Sequence, residues 1–109
     1  MNTNYSIQFY SKRVESSLSA MPAGILAKFI RYAEKMEMYG ADLGMPHSKA
    51  MGKGLFGLRV QASEGIARVF YCSIRNREII ILHHYIKKTQ KTPKAELETA
   101  RTRQQDLSR

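Results

Sequence analysis

Apolar residues recur at helical spacing in the first half of the chain. Those that stand three or four positions apart are Ile25, Leu26, Phe29, Ile30, Ala33 and Met36. Pro22 precedes this series and Gly40 follows it, so the pattern predicts an amphipathic helix of about four turns between them. A shorter helix is expected over residues 11–19. Before it, residues 5–9 alternate between apolar and polar side chains, which predicts a short first strand.

In the second half of the chain the spacing changes to the two-residue alternation of β-strands. One face of residues 55–62 is apolar, and the other face carries Arg59. Two further apolar segments, residues 66–74 and 78–85, follow after short turns, so we expect a three-stranded antiparallel meander. The segment 40–53 contains several glycines and a proline, and it is expected to form a loop.

A C-terminal helix completes the predicted fold. Thr92 is a suitable N-cap and Pro93 suits the first helical position, and the helix should run to about Gln105. Its apolar face is thin, so its stability depends on docking. The chain is therefore expected to form one α+β domain over residues 1–109, with a small antiparallel sheet, two N-terminal helices and a C-terminal helix. We expect the helices to cover one face of the sheet and to leave the other face available for a site.

The chain is strongly basic, and its excess charge is unevenly distributed. It contains 18 lysines and arginines against 9 aspartates and glutamates, a formal net charge of +9. Residues 51–109 hold twelve of the bases and five of the acids, a net of +7, whereas residues 1–50 have a net of +2. Such a charge favours polyanionic partners, nucleic acid first, although an acidic protein or a membrane surface would also fit.

Several classes of protein are disfavoured by the sequence. The single cysteine, Cys72, lies in an apolar segment, so a buried structural thiol is expected rather than a disulfide or a thiolate metal site. The histidines form no spacing typical of metal ligands, so neither a metal nor another cofactor is expected. The N-terminus lacks the pattern of a signal peptide, and no apolar segment approaches the roughly 18 residues of a membrane helix. We therefore expect a cytoplasmic protein.

The segment 82–94 carries the most specific chemistry of the chain. The apolar residues 79–82 are followed by His83, His84 and Tyr85, and then by four lysines within eight residues: Lys87, Lys88, Lys91 and Lys94. A strand end that brings imidazoles, a phenol and ammonium groups together suits the binding, and also the cleavage, of a phosphodiester. A solvated basic loop before a helix is the alternative.

Arg68 is a charged residue inside the apolar segment 67–71, where burial is costly unless the guanidinium is paired or faces an anion. An ion pair with Glu64 or Glu78 is one alternative, and an anionic ligand is the other. The same argument applies to Arg59 on the preceding strand. If the two arginines lie close on one face, their repulsion favours an anion between them.

The two adjacent histidines are expected to point to opposite faces of a strand, so that only one can join a given site. Each is either a satisfied structural residue or a catalytic group. Tyr85 is a candidate to stack on a base, to donate a proton or simply to pack. Residues 52–54 resemble a fragment of a phosphate-binding loop, but a tight turn is the simpler interpretation.

Several short motifs of this chain resemble the phage-derived, HigB-like branch of the RelE/ParE superfamily of type II toxins. These motifs are Lys53-Gly54-Leu55-Phe56, Leu58-Arg59, Ala67-Arg68-Val69-Phe70-Tyr71, Leu82-His83 and Lys87-Lys88-Thr89-Gln90-Lys91-Thr92-Pro93. The resemblance extends over residues 5–105 and implies a RelE/ParE-like fold. Members of the superfamily are toxins of toxin–antitoxin pairs. Many cleave mRNA on the translating ribosome, whereas ParE-type relatives inhibit DNA gyrase and cut nothing.

The chemistry of the residues and the resemblance together indicate roles for particular positions. Arg68 matches the arginine that is usually placed on a phosphate. The expected catalytic residues are Arg68, Lys88, His83, His84 and Tyr85. The expected RNA-binding residues are Arg59, Lys53, Lys87, Lys91 and Lys94. Two positions depart from the family, because His84 stands where relatives often have glycine, and Phe56-Gly57 where they often have Trp-Glu.

We therefore expect a metal-independent endoribonuclease in which the ribose 2′-OH attacks the adjacent phosphate. The general base is either a lysine whose pKa is depressed by neighbouring cations or one of the two histidines, and the resemblance does not decide between them. The expected partners are a HigA-like helix-turn-helix antitoxin, mRNA and the ribosome. A non-enzymatic gyrase inhibitor and an RNA-binding module without cleavage are the alternatives.

Overall fold

The sheet is built around the three strands predicted in the second half of the chain. The computed structural model describes residues 4–88 and 93–108. In chain order the elements are β1 (Ser6–Phe9), α1 (Lys12–Ser19), α2 (Ala23–Tyr39), β2 (Ser48–Gly52), β3 (Leu55–Ala62), β4 (Gly65–Ile74), a 3-10 turn (Arg75–Arg77), β5 (Glu78–Ile86) and α3 (Lys94–Leu107). The strands form one sheet in the order β1-β5-β4-β3-β2. The predicted α+β fold with two N-terminal helices and a C-terminal helix is confirmed.

Two features of the sheet differ from the prediction. β1 pairs with β5 in parallel, so the sheet is mixed rather than antiparallel. The predicted loop over residues 40–53 was wrong in part, because β2 lies within it and pairs antiparallel with β3. β2 is an edge strand in which Lys49 and Ala50 are exposed. Its sequence therefore lacks the apolar alternation by which a half-buried strand is recognised.

α1 and α2 pack on one face of the sheet and form the larger part of the core. α1 begins after Ser11, whose hydroxyl accepts a hydrogen bond from the backbone N–H of Val14. The predicted apolar face of α2 is mostly buried, although Ile30 is 48% exposed. The sheet contributes the following buried residues: Leu58, Val60, Ala67, Val69, Tyr71, Ile79 and Ile81. The pattern that predicted β3 and β4 is thus the pattern that builds this core.

α3 packs on the opposite face, so the expectation that all helices cover one face was wrong. The central strands are apolar on both faces, and the second face must also be covered. Ala100 of α3 is fully buried there. Its buried neighbours on the sheet are Leu55, Phe70, Cys72, Ile80 and Leu82. Cys72 is buried as expected, and burial raises the pKa of its thiol to about 11.

Polar side chains of α3 add to its thin apolar contact. Arg101 donates hydrogen bonds to the carbonyl oxygens of Met51 and Gly52 at 2.5 and 2.8 Å. Gln104 donates to the carbonyl oxygen of Lys53 at 2.7 Å. Gly52 and Lys53 have positive φ angles of 91° and 56°. Residues 52–54 therefore form a tight turn between β2 and β3, and carbonyl groups of this turn face α3.

The limits of α3 lie close to those predicted. The helix begins at Lys94, directly after Pro93, and ends at Leu107. Thr92, the predicted N-cap, lies outside the described residues. Within residues 4–88 and 93–108, no helix combines the length and the apolar character that crossing a bilayer requires.

Candidate functional site

Cross-strand pairing brings the two predicted arginines together. Arg59 of β3 lies directly opposite Arg68 of β4, and Arg68 lies opposite Tyr85 of β5. Residues opposite each other in antiparallel strands present their side chains on the same face. Lys87 continues this face, and its backbone N–H donates to the carbonyl oxygen of Ile66 at 2.7 Å. We call Arg59, Arg68, Tyr85 and Lys87 the basic cluster. It shares its face of the sheet with α3.

Arg68 has no acidic partner among the described residues. The two acids that the sequence offered are engaged elsewhere. Glu64 accepts a hydrogen bond from the backbone N–H of Gly24 at 2.8 Å, and Glu78 accepts one from Gln8 at 3.2 Å. The Nε atom of Arg68 is buried and has no hydrogen-bond partner in the described part of the chain. Such a donor is costly unless it meets an anion, so an anionic ligand is the better of the two alternatives.

Tyr85 lies in a row of rings on the same face. Its ring centroid is 6.1 Å from that of the buried Phe70, and the ring of Phe70 is in turn stacked with His83 at 6.4 Å. The hydroxyl of Tyr85 is buried, and like Arg68 Nε it has no hydrogen-bond partner among the described residues. Two unpartnered donors on cross-strand neighbours suit a ligand with several acceptor oxygens, such as a phosphate group.

Gly57 provides the space in which the guanidinium of Arg68 lies. A Cβ atom added at Gly57 would lie only 2.8 Å from Nη1 of Arg68. The side chain of Arg68 therefore extends across β3 at the one position of that face without a side chain. This gives a physical reason for the departure at residues 56–57, because a glutamate at position 57 would occupy the place of the guanidinium.

The surroundings of Lys87 change its pKa in the direction that a general base requires. Partial burial, followed by the positive charges of Arg68 and Arg59, lowers the pKa of Lys87. A lower pKa raises the neutral fraction of the amine near neutral pH. Arg59 donates from Nη1 to Oε1 of the neutral Gln61 at 2.8 Å, so it keeps its charge available for an anion. Lys88 follows β5 and is exposed.

His83 is held by a carboxylate that was not predicted from the sequence. Its Nε2 atom is hydrogen-bonded to Oε1 of Glu96 at 2.5 Å, and both side chains are partly buried. Glu96 lies in the first turn of α3. The contact between His83 and Glu96 depends on where α3 packs against the sheet. The spacing of residues along the sequence does not predict that position. An imidazole oriented by a carboxylate is a common arrangement for a general base.

His84 points to the other face of β5, as predicted. It lies opposite Val69, whereas His83 lies opposite Phe70. Burial, followed by the charge of His83, lowers the pKa of His84. Both histidines nevertheless line one cavity, together with residues of α1 and α3. The expectation that only one can join a given site fails here because β1 pairs only with residues 78–81 of β5, and the cavity lies along the remaining edge.

The other predicted residues lie apart from the basic cluster or outside the described residues. Lys53 lies in the turn at the far end of β3 from Arg59. Lys94 is 4.0 Å from Glu98, one turn further along α3. Lys91 lies outside the described residues. Across residues 4–88 and 93–108, no three histidine, cysteine, aspartate or glutamate side chains converge as a metal site would require.

Comparison with known proteins identifies the fold and the family of this chain. Among solved structures, the chain is similar to the archaeal RelE–RelB complex from Pyrococcus horikoshii OT3, with a TM-score of 0.54 and 17% identity over 78% of this chain and 97% of that chain. The family model described as "Phage derived protein Gp49-like (DUF891)" matches residues 16–105. The comparison with curated proteins gave no match.

The fold places this protein in the class of RelE-like structures. Within that class, the chain belongs to the phage-derived Gp49-like family, because the match extends over most of its length. The resemblance that the motifs indicated is therefore confirmed.

Proposed function

We propose that this protein is the toxin of a type II toxin–antitoxin pair and cleaves mRNA on the translating ribosome. The observation that carries the proposal is the basic cluster, in which Arg68 presents a buried, unpartnered Nε atom beside Arg59, Tyr85 and Lys87. A phosphodiester supplies the negative charge and the acceptor oxygens that these groups require.

The cluster contains the groups needed for an internal transfer reaction. The neutral amine of Lys87 takes the proton of the ribose 2′-OH, and a bond forms between O2′ and phosphorus. Arg68 and Arg59 stabilise the added charge on the phosphorane. The bond from phosphorus to O5′ then breaks, and the Tyr85 hydroxyl donates a proton to the leaving oxygen. The products are a 2′,3′-cyclic phosphate and a free 5′-OH. The nucleophile belongs to the RNA itself, so the reaction needs no metal-bound water.

His83 is the second candidate for the general base, because Glu96 holds its imidazole on the same face. The two candidates are four residues apart along the extended chain, a separation of about 13 Å at roughly 3.3 Å per residue. They are therefore not expected to act on the same proton. Lys87 is preferred, since its pKa is lowered by burial and also by the same arginines that would bind the phosphate.

We further propose that a HigA-like helix-turn-helix antitoxin neutralises the toxin in the cytoplasm. The solved RelE structure from P. horikoshii is a complex with RelB. In this chain the net charge of +9 and the three cations of the basic cluster suit an acidic segment of a partner. Apolar residues of that segment would find partly buried side chains such as Met51 and Leu97 nearby.

Induced expression of Arg68→Ala in cells tests the proposal. Wild-type protein should arrest growth and generate new RNA 5′-OH ends. Arg68→Ala should abolish both, because loss of one group that stabilises transition-state charge typically costs about 10²–10³-fold in rate. The control is Arg31→Ala, which removes an exposed arginine on α2, on the other face of the sheet.

The fold of Arg68→Ala should be intact, because the change removes a half-buried charge that has no acidic partner among the described residues. A folded Arg68→Ala protein that still arrests growth fully would refute the assignment. Growth arrest by the wild type with inhibited gyrase and no new RNA ends would instead favour the non-enzymatic alternative.

A further inference from the structure

A cavity of about 160 Å³ lies between α1, α3 and the edge of β5 that β1 leaves unpaired. Its lining residues are Arg13, Val14, Ser17, His83, His84 and Arg103. Four of these carry cationic or imidazole side chains, and none of the described lining residues is acidic. The cavity is smaller than the roughly 300–1,000 Å³ of a typical small-molecule site, and it is of a size for a phosphate group with a few waters.

We propose that this cavity is a second phosphate subsite, which binds the RNA backbone a few nucleotides away from the scissile phosphate. The inference rests on the proposed function, because it extends the path of the same RNA strand beyond the basic cluster.

Arg103 is already oriented for this role. Its Nη1 atom donates to the carbonyl oxygen of Leu82 at 2.7 Å, and its guanidinium lies 5.5 Å from the centre of the Tyr10 ring. These contacts hold the planar guanidinium in place and use one of its five N–H groups, so other donors remain for an anion. Pre-orientation of this kind lowers the entropy lost when a phosphate binds.

Arg13 supplies the second charge from the opposite wall. It is exposed on α1 and has no ion pair among the described residues. The nearby acid on α1, Glu15, is 3.6 Å from Lys12 instead. Neither Arg13 nor Arg103 forms a salt bridge among the described residues. The nearby carboxylates have other partners, because Glu96 is hydrogen-bonded to His83 and Asp106 accepts a hydrogen bond from Tyr10 at 2.9 Å. A phosphate oxygen is a suitable acceptor for both arginines.

His83 connects the cavity to the basic cluster. Its ring is stacked with Phe70 in the same aromatic row as Tyr85, and it also lines the cavity. From His83 to Lys87 the extended chain covers about 13 Å at roughly 3.3 Å per residue, a distance that a few nucleotides of a single strand can cover. A strand that follows β5 would thus reach both sites. This continuity favours RNA over an acidic protein segment as the occupant.

Binding of non-cleavable 2′-O-methyl RNA oligonucleotides of three and eight nucleotides tests the subsite. Arg13→Ala should weaken binding of the eight-nucleotide RNA roughly three- to ten-fold and reduce the slope of log K against log salt by about 0.7, the value for one phosphate contact on a single strand. Binding of the three-nucleotide RNA should be unchanged. Arg13→Lys should retain most of the affinity, and Arg31→Ala is the matched control.

The subsite is refuted if Arg13→Ala binds the eight-nucleotide RNA as tightly as Arg31→Ala at every salt concentration. It is equally refuted if Arg13→Ala weakens only the binding of a purified antitoxin, since the occupant would then be a protein. Neither result affects the proposed function, which is read separately from RNA cleavage and its dependence on Arg68. An effect of Arg13→Ala on long RNA, with no cleavage by the wild type, would leave the subsite in place and reject the nuclease.

Discussion

At the scale of single residues, the basic cluster depends on the absence of a side chain at Gly57, beside the long side chain of Arg68. Gly57 leaves room for Arg68, whose guanidinium would otherwise meet a side chain at 2.8 Å. The two-residue alternation of β3 and β4 left it open whether Arg59 and Arg68 share a face, and the pairing register shows that they do. The alternation did not predict that Glu96 holds His83 or that Arg13 and His84 line one cavity, because both arrangements join a helix to a strand.

Gly57→Ala tests the importance of this space. The added methyl group should displace the end of the Arg68 side chain without unfolding the protein, because that end is flexible. Cleavage should fall by about ten- to a hundred-fold, since misplacing a catalytic group by about 1 Å can have such an effect. The exposed Ser73→Ala on the neighbouring strand β4 is the control and should keep full activity. Full activity of Gly57→Ala with native thermal stability would show that the position of Arg68 is not limiting.

Lys87→Arg separates the two candidate bases. Since burial and neighbouring arginines lower the pKa of Lys87, its neutral fraction increases as pH rises, and cleavage should rise with pH until that lowered pKa is passed. Arginine keeps the charge but does not deprotonate, so kcat/KM should fall by about 10²–10⁴-fold and lose this rise. A Lys87→Arg variant with near-normal activity would assign the base to His83 instead.

At the scale of secondary-structure elements, strongly patterned segments were predictable and edge elements were not. α2, β3, β4 and β5 bury periodic apolar faces, and their predicted limits agree with those observed. β2 is held by its pairing with β3 rather than by an apolar face of its own. β1 pairs in parallel with β5, and this pairing depends on the path of the chain through α1 and α2. The local pattern of apolar and polar residues does not predict it.

The docking of α3 on the sheet relies on polar contacts, so we expect that removing them loosens this helix. Removing the hydrogen bonds of Arg101 to the β2–β3 turn should lower the free energy of local opening of α3 by about 1–3 kcal/mol. In Arg101→Ala, amides of residues 94–107 should therefore exchange hydrogen faster, while those of β4 and β5 stay protected. Thr102→Ala changes an exposed neighbour on the same helix and should have no effect. Uniformly faster exchange in helix and sheet would show that α3 does not open independently.

At the scale of the whole molecule, the distribution of charge is the property that the sequence shows most directly. The net of +7 in residues 51–109 belongs to the half of the chain that forms β3, β4, β5 and α3. Composition alone left nucleic acid, acidic proteins and membranes open as partners. Arg59 lies opposite Arg68, so positive charge is concentrated at one place on the sheet. Among the possible partners, this favours one that presents a localised anionic group such as a phosphate.

RNA binding should accordingly weaken steeply as salt increases. Contacts from Arg59, Arg68, Lys87 and Lys88 to about four phosphates predict a slope of log K against log salt near −3, at roughly −0.7 per contact on a single strand. Double substitution of Arg59 and Lys87 by alanine should reduce the magnitude of the slope by about 1.4. Arg31→Ala should leave it unchanged. Binding that is constant between low and physiological salt would count against an interface led by phosphate contacts.

Cleavage of an mRNA with a single 2′-deoxy nucleotide at the cut position, on ribosomes programmed with that message, tests the central claim most directly. The unmodified mRNA should be cut to fragments that end in a 2′,3′-cyclic phosphate and begin with a 5′-OH. The modified mRNA should resist cleavage at that position, because the nucleophile is missing. Equal cleavage of both messages, or fragments that carry a 5′-phosphate, would contradict an internal transfer at the basic cluster.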